Sequence, residues 1–451
     1  MDFISILRGF FGILLLVGIS YILSNNKSKI SWRLVAGGLA LQIVFAVLIL
    51  KGENLRAFFA PLGWPKDFFN WISYFFVLVL NFTTAGAQFV FGDLAKPPGA
   101  EGSIGSFFAF QVLPTIIFFA SLMSLLYYLG IMQIIVKGMA WVMAKTLGTS
   151  GAESLSNSAN VFVGQTEAPL MIKPFLNKMT RSEILTIMVG GMATIAGGVM
   201  AAYIQILGSA FAIKNGIPLE QAQQLFATRL LGASVMAAPA GIVISKIIYP
   251  ETGDPVTKGT VKIEVEKNAS NVIEAAANGA ADGWKLAINV GAMLLAFIAL
   301  IALVNYLLHG FGDIINVNES LMTEFGQPLS FQLLIGLVMQ FVAFGIGVPW
   351  EDALNFGSLL GIKVVLNEFV AYTEMGTMVE IGKILNEKTI LMLTYALCGF
   401  ANFSSIAIQI GGIGPLAPDR KSDIAALGLK AVLGGVLATL MTATLAGLLF
   451  S

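Results

Sequence analysis

The chain has 451 residues, of which 57% are hydrophobic and only 12% are charged, and its formal net charge is zero. Soluble domains carry about 25% charged residues, so this composition excludes an ordinary soluble protein and indicates an integral membrane protein. A net charge of zero gives no support for nucleic-acid binding or for an electrostatic membrane anchor. A single cysteine, Cys398, excludes both an intrachain disulfide and a thiolate metal cluster.

The apolar residues occur in long runs. An α-helix needs about 20 apolar residues to cross a bilayer, whereas membrane strands alternate in polarity over about ten. The sequence therefore predicts an all-α polytopic membrane protein. Eight runs are predicted to span the membrane: residues 4–23, 34–50, 107–129, 184–213, 230–248, 284–308, 390–413 and 427–449.

Three further segments are predicted to lie at the membrane surface. Residues 53–91 alternate aromatic side chains such as Trp64 with polar ones such as Lys66, which is typical of an interfacial helix that does not cross. Residues 131–147 and 331–348 are predicted to be interfacial as well. The hydrophilic residues 249–282 predict a cytoplasmic linker with short helices.

One eight-residue pattern, N-x-F-V-x-x-T-E, occurs twice, at residues 160–167 and 367–374. The segments that contain the two copies, 150–175 and 354–380, are too polar and too interrupted to face lipid. Broken backbone at membrane depth is tolerated only where protein or a water-filled cavity surrounds it, so each segment is predicted to form a re-entrant helical hairpin. Charged groups at that depth are expensive and indicate a functional site.

A second correspondence follows each hairpin. Thr194-Ile195-Ala196 is matched by Ser405-Ile406-Ala407 at a similar distance after the T-E pair, which supports an internal structural repeat. The adjacent glycines at 197 and 198 each weaken a helix by about 1 kcal/mol relative to alanine. A kinked or discontinuous helix is therefore predicted there.

The distribution of basic residues predicts the topology. Lys27, Lys29 and Arg33 follow the first span, and cytoplasmic loops are enriched in such residues, so the N-terminus is predicted to be extracytoplasmic. Eight spans then bring the C-terminus to the same side and let the two hairpins enter from opposite faces. Inverted repeats with broken helices that meet near the midplane are the design of secondary transporters.

The predicted domains follow this order. Residues 1–52 hold peripheral helices, and 53–149 hold interfacial helices and a scaffold helix. Residues 150–248 form the first inverted repeat, with a hairpin and two spans. A cytoplasmic linker and a scaffold helix occupy 249–324, and the second inverted repeat, with an interfacial helix, a hairpin and two spans, occupies 325–451.

Four motifs in order carry a resemblance to a known family: GQTEAPL at 164–170, ATIAG at 193–197, NEFVAY at 367–372 and GFANFSS at 399–405. With FAFQVLP at 108–114, they closely resemble the signatures of the concentrative nucleoside transporter family. The resemblance implies an inner-membrane homotrimer of eight-span protomers. Each protomer would import nucleosides such as uridine, cytidine and adenosine by cation symport, through an elevator-like motion of the hairpin domain.

The resemblance also implies the binding residues. The nucleobase would contact Gln165, Thr166, Glu167 and Val199, and the ribose would contact Glu368, Asn402 and Ser405 beside the aromatic Phe400. The side chains of Asn160 and Thr194 and the carbonyls of Val163 and Ile195 would bind Na⁺ as the coupling ion, with no organic cofactor. A carboxylate accepts two hydroxyl hydrogens and an amide both donates and accepts, which suits a sugar and a base.

Several alternatives stay open at this point. The coupling ion could be a proton, and the cargo could be another small polar solute carried by a transporter or channel. Glu167 and Glu368 could be structural partners of Lys173 or Lys363. The favoured role of Gln111 and Gln409 is interhelical hydrogen bonding, and the favoured role of Glu374 and Glu380 is packing or helix termination.

Two classes are disfavoured. An ATP-driven pump needs a phosphate-binding loop of the form G-x-x-x-x-G-K-[ST], and the sequence contains none. An enzyme needs a metal cluster or a nucleophile beside a base, but the chain has one histidine, His309, and one cysteine. The chain is therefore predicted not to be an enzyme.

Overall fold

The computed structural model describes residues 3–96, 102–105, 107–259 and 269–450. These residues form helices joined by short turns and contain no strand, which confirms the predicted all-α class. Part of the predicted linker, residues 260–268, lies outside the described residues.

The N-terminal part of the chain forms seven described helices before the first hairpin. Glycines with left-handed backbone stand directly before and after the seventh, at Gly130 (φ 83°) and Gly148 (φ 68°), and set its ends. In chain order the helices are α1 (Phe3–Ile22), α2 (Trp32–Leu50), α3 (Gly52–Phe58), α4 (Trp64–Phe91), α5 (Phe108–Gln111), α6 (Leu113–Tyr128) and α7 (Ile131–Leu147).

The middle of the chain contains the first hairpin and the helices that follow it. Two helices begin with a capping box, in which Ser150 pairs with Glu153 and Thr180 pairs with Glu183. The helices are α8 (Gly151–Ala159), α9 (Lys173–Leu176), α10 (Arg181–Ala193), α11 (Gly197–Asn215) and α12 (Leu219–Ile248).

The C-terminal part begins with a helix of 43 residues, α13. Because α13 starts at Val272, the predicted linker of residues 249–282 is wrong in its second part, and its described first part, 249–259, contains no helix. The helices are α13 (Val272–Ile314), α14 (Asn318–Phe325), α15 (Phe331–Gly345), α16 (Trp350–Val365), α17 (Glu368–Glu380), α18 (Glu387–Ala396), α19 (Phe403–Ile413) and α20 (Lys421–Leu449).

The number of apolar spans agrees with the sequence prediction. Seven helical segments of the described chain are long and apolar enough to cross a membrane, and eight if the bent pair α15–α16 counts as one. The set differs from the predicted one. Residues Leu7–Ile22 of α1 and the broken pair α18–α19 are too short to qualify, whereas the segment that contains α4 qualifies.

Helix α4 differs from the interfacial helix predicted for residues 53–91. It is one continuous helix of 28 residues. Hydrogen bonds join Thr228 to Ser73 (2.9 Å) and Asn81 to Glu220 (3.4 Å), so α4 runs antiparallel along the first part of α12. The aromatic and polar alternation around Trp64 covers only its start, and the apolar second half determines its length.

The two hairpins form where they were predicted, with different return arms. In the first, α8 is followed by an irregular tip, residues 160–167, and by a short 3₁₀ helix, Ala168–Ile172. In the second, α16 breaks at Leu366 and α17 begins at once, because the side chain of Asn367 accepts a hydrogen bond from the backbone N–H of Val370 at 2.9 Å. The repeated pattern therefore forms a loop in one copy and a helix in the other.

The predicted discontinuity occurs, and a second one that was not predicted lies inside the span assigned to residues 390–413. Helices α10 and α11 are separated by residues 194–196, of which Thr194 and Ala196 are extended, and α18 and α19 are separated by residues 397–402. The second half of each broken helix starts after Ala196 or Asn402 respectively. The tripeptide match was therefore misplaced in register, because residues 194–196 form a break whereas residues 405–407 lie inside α19.

Candidate substrate and ion site

The tip of the first hairpin contacts the second broken helix. The side-chain amide of Gln165 donates a hydrogen bond to the hydroxyl of Ser405 at 3.2 Å, and its carbonyl oxygen accepts one from Gln409 at 3.0 Å. All three side chains are buried. The structure thus brings together one predicted residue from each half of the repeat.

Glu368 lies at the start of α17, directly after the break in the second hairpin. Its Oε1 accepts a hydrogen bond from the hydroxyl of Tyr203, and its Oε2 accepts one from the amide of Asn402, both at 3.0 Å. Its side chain is buried. A carboxylate has about four lone-pair sites, so two of them stay free to accept further hydrogens.

Asn402 connects these two sets of contacts. It is the cap of α19, and its side-chain oxygen accepts hydrogen bonds from the N–H of Ser405 (2.9 Å) and from the hydroxyl of Ser404 (2.7 Å). A continuous network therefore runs from Tyr203 through Glu368, Asn402 and Ser405 to Gln165. The cap that starts α19 also orients the polar groups around the break.

The other four predicted substrate residues surround this network. Val199 is buried in the first turn of α11, one turn before Tyr203 and on the same helix face. Thr166 packs against Gly412 of α19. Phe400 is half-buried in the break before α19. Glu167 is exposed, and its carboxylate lies over Gly164 instead of joining the network within the described residues.

The predicted ion site lies between the first tip and the break after α10. The N–H of Gly197 donates to the carbonyl of Phe162 at 3.0 Å, which holds the tip against the start of α11. The side chain of Asn160 is buried, and neither its oxygen nor its nitrogen has a hydrogen-bond partner in the described chain. An unpaired buried amide costs about 1–3 kcal/mol, so its oxygen is suited to a ligand.

Thr194 supplies the second side chain of that site. It is buried, and its hydroxyl donates to the carbonyl of Gly190 at 2.9 Å, so its oxygen lone pairs can face a cation. The residues at the break are not helical, so the carbonyl of Ile195 lies outside the regular helical hydrogen bonding. An amide oxygen, a hydroxyl and free carbonyls form a donor set that fits a hard cation such as Na⁺.

Sequence reasoning missed Tyr203 altogether. It is fully buried, its ring contacts that of Tyr372 in a tilted arrangement with 4.3 Å between ring centroids, and it provides one of the two side-chain donors to Glu368. A tyrosine one turn after Val199 in an apolar helix was the available signal, because a buried tyrosine hydroxyl needs a partner.

The open alternatives for several polar residues are resolved by their contacts. Gln409 donates to the carbonyl of Met188 in α10 as well as to Gln165, which confirms interhelical hydrogen bonding. Gln111 holds the preceding loop by donating to the carbonyls of Lys96 and Gly105. None of the ion pairs in the described residues includes Glu167 or Glu368, so neither forms a direct pair with Lys173 or Lys363 there, although the charges of Glu368 and Lys363 interact without contact.

Three family models match successive parts of the chain. They describe the N-terminus of a Na⁺-dependent nucleoside transporter (residues 11–94), a nucleoside recognition domain (109–210) and the C-terminus of a Na⁺-dependent nucleoside transporter (229–447). Together they cover most of the sequence, including both hairpins.

Similar proteins cover nearly the whole chain. An uncharacterized transporter of Haemophilus influenzae is 45% identical over 98% of both chains. The sodium/nucleoside cotransporter 1 of Rattus norvegicus is 40% identical over 98% of this chain and 64% of its own length. The solved structure of CNTnw in an inward-facing, substrate-bound state is 40% identical, with a TM-score of 0.83 over 98% of both chains.

Proposed function

The chain belongs to the concentrative, Na⁺-dependent nucleoside transporter family, and we propose that it imports nucleosides across the inner membrane by Na⁺ symport. It is a transporter and not an enzyme. We further propose that the hairpins and broken helices move together as an elevator and that three protomers form a homotrimer, as the family resemblance implies.

The main support for this proposal is that the buried carboxylate of Glu368 accepts hydrogen bonds from only two side chains of the described residues. Two of its acceptor positions are taken by Tyr203 and Asn402, and the others are free for the two ribose hydroxyls of a nucleoside. A hydrogen bond to a charged group contributes about 1.5–3 kcal/mol, enough to replace the water that a sugar loses on entry. Ser405 and Asn402 supply neutral donors and acceptors beside it.

The nucleobase is assigned to the first tip. The amide of Gln165 can exchange its bonds with Ser405 and Gln409 for the edge of a base, because both of these partners are neutral. Thr166 and Glu167 add polar groups at the same tip, and Val199 and Phe400 provide apolar surface for the ring. We assign uridine, cytidine and adenosine as the substrate class.

Coupling follows from the shared position of the two sites on the first tip. We assign Na⁺ to the side chains of Asn160 and Thr194 and to the carbonyls of Val163 and Ile195. Asn160 begins the same eight-residue tip that carries Gln165, so an ion that fixes Asn160 also orders the base contacts. By linkage, the nucleoside then raises the affinity for Na⁺ by the same factor.

A pair of variants in the second hairpin tests the substrate site. Glu368→Gln should abolish uptake of labelled uridine by proteoliposomes, because the amide presents one acceptor fewer and a donor that clashes with the ribose hydroxyls. Glu374→Gln is the control, since Glu374 follows in the same helix without joining the network. Equal loss of uptake in both variants would contradict the assignment.

Inhibition of labelled uridine uptake by unlabelled solutes distinguishes nucleosides from other classes of substrate. Unlabelled nucleosides should inhibit uptake by the wild type, whereas free bases should inhibit it weakly because they lack the ribose that Glu368 binds. Inhibition by amino acids with no inhibition by nucleosides would indicate a transporter for another polar solute.

A further inference from the structure

A lysine lies in the buried part of the second hairpin. Lys363 is in the last turn of α16, four residues before Asn367, and its side chain is 0% exposed. An ammonium group at such a position is expensive unless other groups compensate its charge. No direct ion pair involves Lys363 within the described residues, and the carboxylate of Glu368 acts on it electrostatically without contacting it.

The two contacts of this ammonium group are neutral oxygens. Its Nζ donates to the carbonyl of Ala396 at 2.8 Å and to the hydroxyl of Thr439 at 3.1 Å. The Thr439 hydroxyl gives its own proton to the carbonyl of Val436, so it accepts from the lysine through a lone pair. Hydroxyl and carbonyl oxygens are also the ligands that a bound Na⁺ takes.

Ala396 is the last residue of α18, the first half of the second broken helix. The final carbonyls of a helix have no intrahelical partner and carry about half a negative charge, which favours a cation. The C-terminal end of α18 is therefore stabilised by a nearby positive charge, and the ammonium group of Lys363 provides that charge.

The internal repeat relates this position to the first hairpin. Aligning Asn160 with Asn367 places Lys363 opposite Ser156, which is four residues before Asn160 and buried with no partner for its hydroxyl in the described chain. The ends of α10 and α18 correspond in the same way, each before a break. The first half has neutral groups where the second half has a lysine.

We propose that Lys363 is a tethered cation, which supplies at the broken helix of the second half the positive charge that Na⁺ supplies at the broken helix of the first. The inference rests on the proposed Na⁺ symport. The ammonium group compensates the end of α18 and keeps the break beside Glu368 in place. Because it is part of the chain, it travels in both directions of the transport cycle and consumes no ion gradient.

The proposal predicts that a neutral side chain at this position opens a second site for a small monovalent cation. The ligands left behind would be the carbonyl of Ala396, the hydroxyl of Thr439 and the side-chain oxygen of the new residue. Lys363→Gln is the variant of choice because it keeps the length and adds an oxygen. Lys363→Arg is the matched control because it keeps the charge.

The test measures uridine uptake by proteoliposomes over a range of Na⁺ concentrations, with choline as the replacement ion. The wild type and Lys363→Arg should show a Hill coefficient of about 1, and Lys363→Gln should approach about 2, since the Hill coefficient is limited by the number of sites. A Lys363→Gln protein that takes up uridine with the wild-type Hill coefficient and the wild-type Na⁺ affinity would overturn the proposal.

Stability provides a second readout if Lys363→Gln transports poorly. The melting temperature of the purified variant should rise more steeply with Na⁺ than that of the wild type, because the ion stabilises the state that binds it. Loss of the folded variant in Na⁺ and in choline alike would assign Lys363 a packing role only and overturn the proposal.

Different results would contradict the Na⁺ symport and the role of Lys363 as a tethered cation. Wild-type uptake that ignores Na⁺ would contradict the symport. Wild-type uptake that depends on Na⁺, together with an identical Na⁺ curve for Lys363→Gln, would contradict the tethered cation alone.

Discussion

The two asparagines that begin the repeated pattern have different partners. Asn367 accepts a hydrogen bond from the N–H of Val370 and caps α17, whereas the buried amide of Asn160 has no partner in the described residues. The difference follows from the neighbouring sequence, since Gly164 and Gln165 keep the first copy irregular while Ala371 and Tyr372 continue the second as a helix. The same residue type thus serves a helix in one copy and is available to an ion in the other.

Parallel substitutions of these asparagines should separate the two roles. Asn160→Ser should raise the Na⁺ concentration for half-maximal uptake by about tenfold or more, because losing a hydrogen bond or ligand to a charged group costs about 1.5–3 kcal/mol. Asn367→Ser should change it by less than about twofold, since serine is an equally good N-cap. The measurement is uridine uptake against Na⁺ concentration.

Equal shifts in the two variants would show that the ion does not depend on Asn160 in particular. An Asn367→Ser protein that loses uptake at every Na⁺ concentration would instead indicate that serine cannot replace the asparagine as a cap for α17.

At the residue scale, four side chains that the motifs predicted to share a site lie close together in the structure. Glu368, Asn402, Ser405 and Gln165 lie in one hydrogen-bond network, as a shared site requires. Tyr203 could not be predicted from a motif, because its role depends on the distance between α11 and the second hairpin. Such distances depend on helix packing, which the sequence alone does not specify.

At the scale of elements, close packing of small residues holds the first hairpin against the helices around it. A Cβ at Gly190 of α10 would collide with the side-chain oxygen of Asn157 in α8. Gly190 also lies opposite Gly241 of α12, where a Cβ would find its nearest heavy atom at an ordinary 3.6 Å. The two glycines are therefore neighbours with different steric freedom.

Alanine at these two glycines should have unequal effects. Gly190→Ala should lower the melting temperature of the detergent-solubilised protein by several degrees, because overpacking a core typically costs about 1–3 kcal/mol. Gly241→Ala should leave the melting temperature nearly unchanged or raise it, since alanine favours a helix by about 1 kcal/mol over glycine. Equal losses in the two variants would contradict the packing described for α8 and α10.

Elements were predicted well where polarity breaks a long apolar run. Both hairpins were recognised because lipid does not tolerate broken polar backbone, and the break before α11 was recognised from the adjacent glycines at 197 and 198. Helix α4 was not, because local alternation around Trp64 says little about how far a helix continues. The match of residues 194–196 with residues 405–407 did not align the two breaks. Three residues are too few to determine where a break lies relative to a capping residue such as Asn402.

At the scale of the whole molecule, an aromatic contact joins the N-terminal helices to the second hairpin. Phe108 of α5 packs edge-to-face on Phe369 of α17, with 5.4 Å between ring centroids, and Phe369 in turn contacts Tyr203 at 5.1 Å. This contact lies next to Glu368 in sequence and in space. An elevator motion of the hairpins would have to break it in every cycle.

Cross-linking at this contact tests the elevator. In a Cys398→Ala background, Phe108→Cys combined with Phe369→Cys should lose uptake when the thiols are bridged by Hg²⁺ and regain it with a reductant. The unbridged double variant and each single variant with Hg²⁺ serve as controls. Continued uptake after complete bridging would show that the second hairpin does not move relative to α5.

The fold as a whole was predictable because composition, span length and the family motifs agree on it. The number of apolar segments was confirmed, but their identity was not, because α4 qualifies and Leu7–Ile22 of α1 does not. The extracytoplasmic position of both termini stays a prediction, since it depends on which of these helices cross. The internal repeat depends on fewer elements, namely two hairpins and two broken helices, whereas its inverted orientation depends on the same crossings and stays a prediction as well.

Na⁺-driven nucleoside import can be measured directly as uptake by proteoliposomes. An inward Na⁺ gradient should drive labelled uridine above its external concentration, and an imposed pH gradient without Na⁺ should not. Uptake that does not depend on Na⁺ and is driven by the pH gradient would contradict Na⁺ symport and identify a proton-coupled nucleoside symporter.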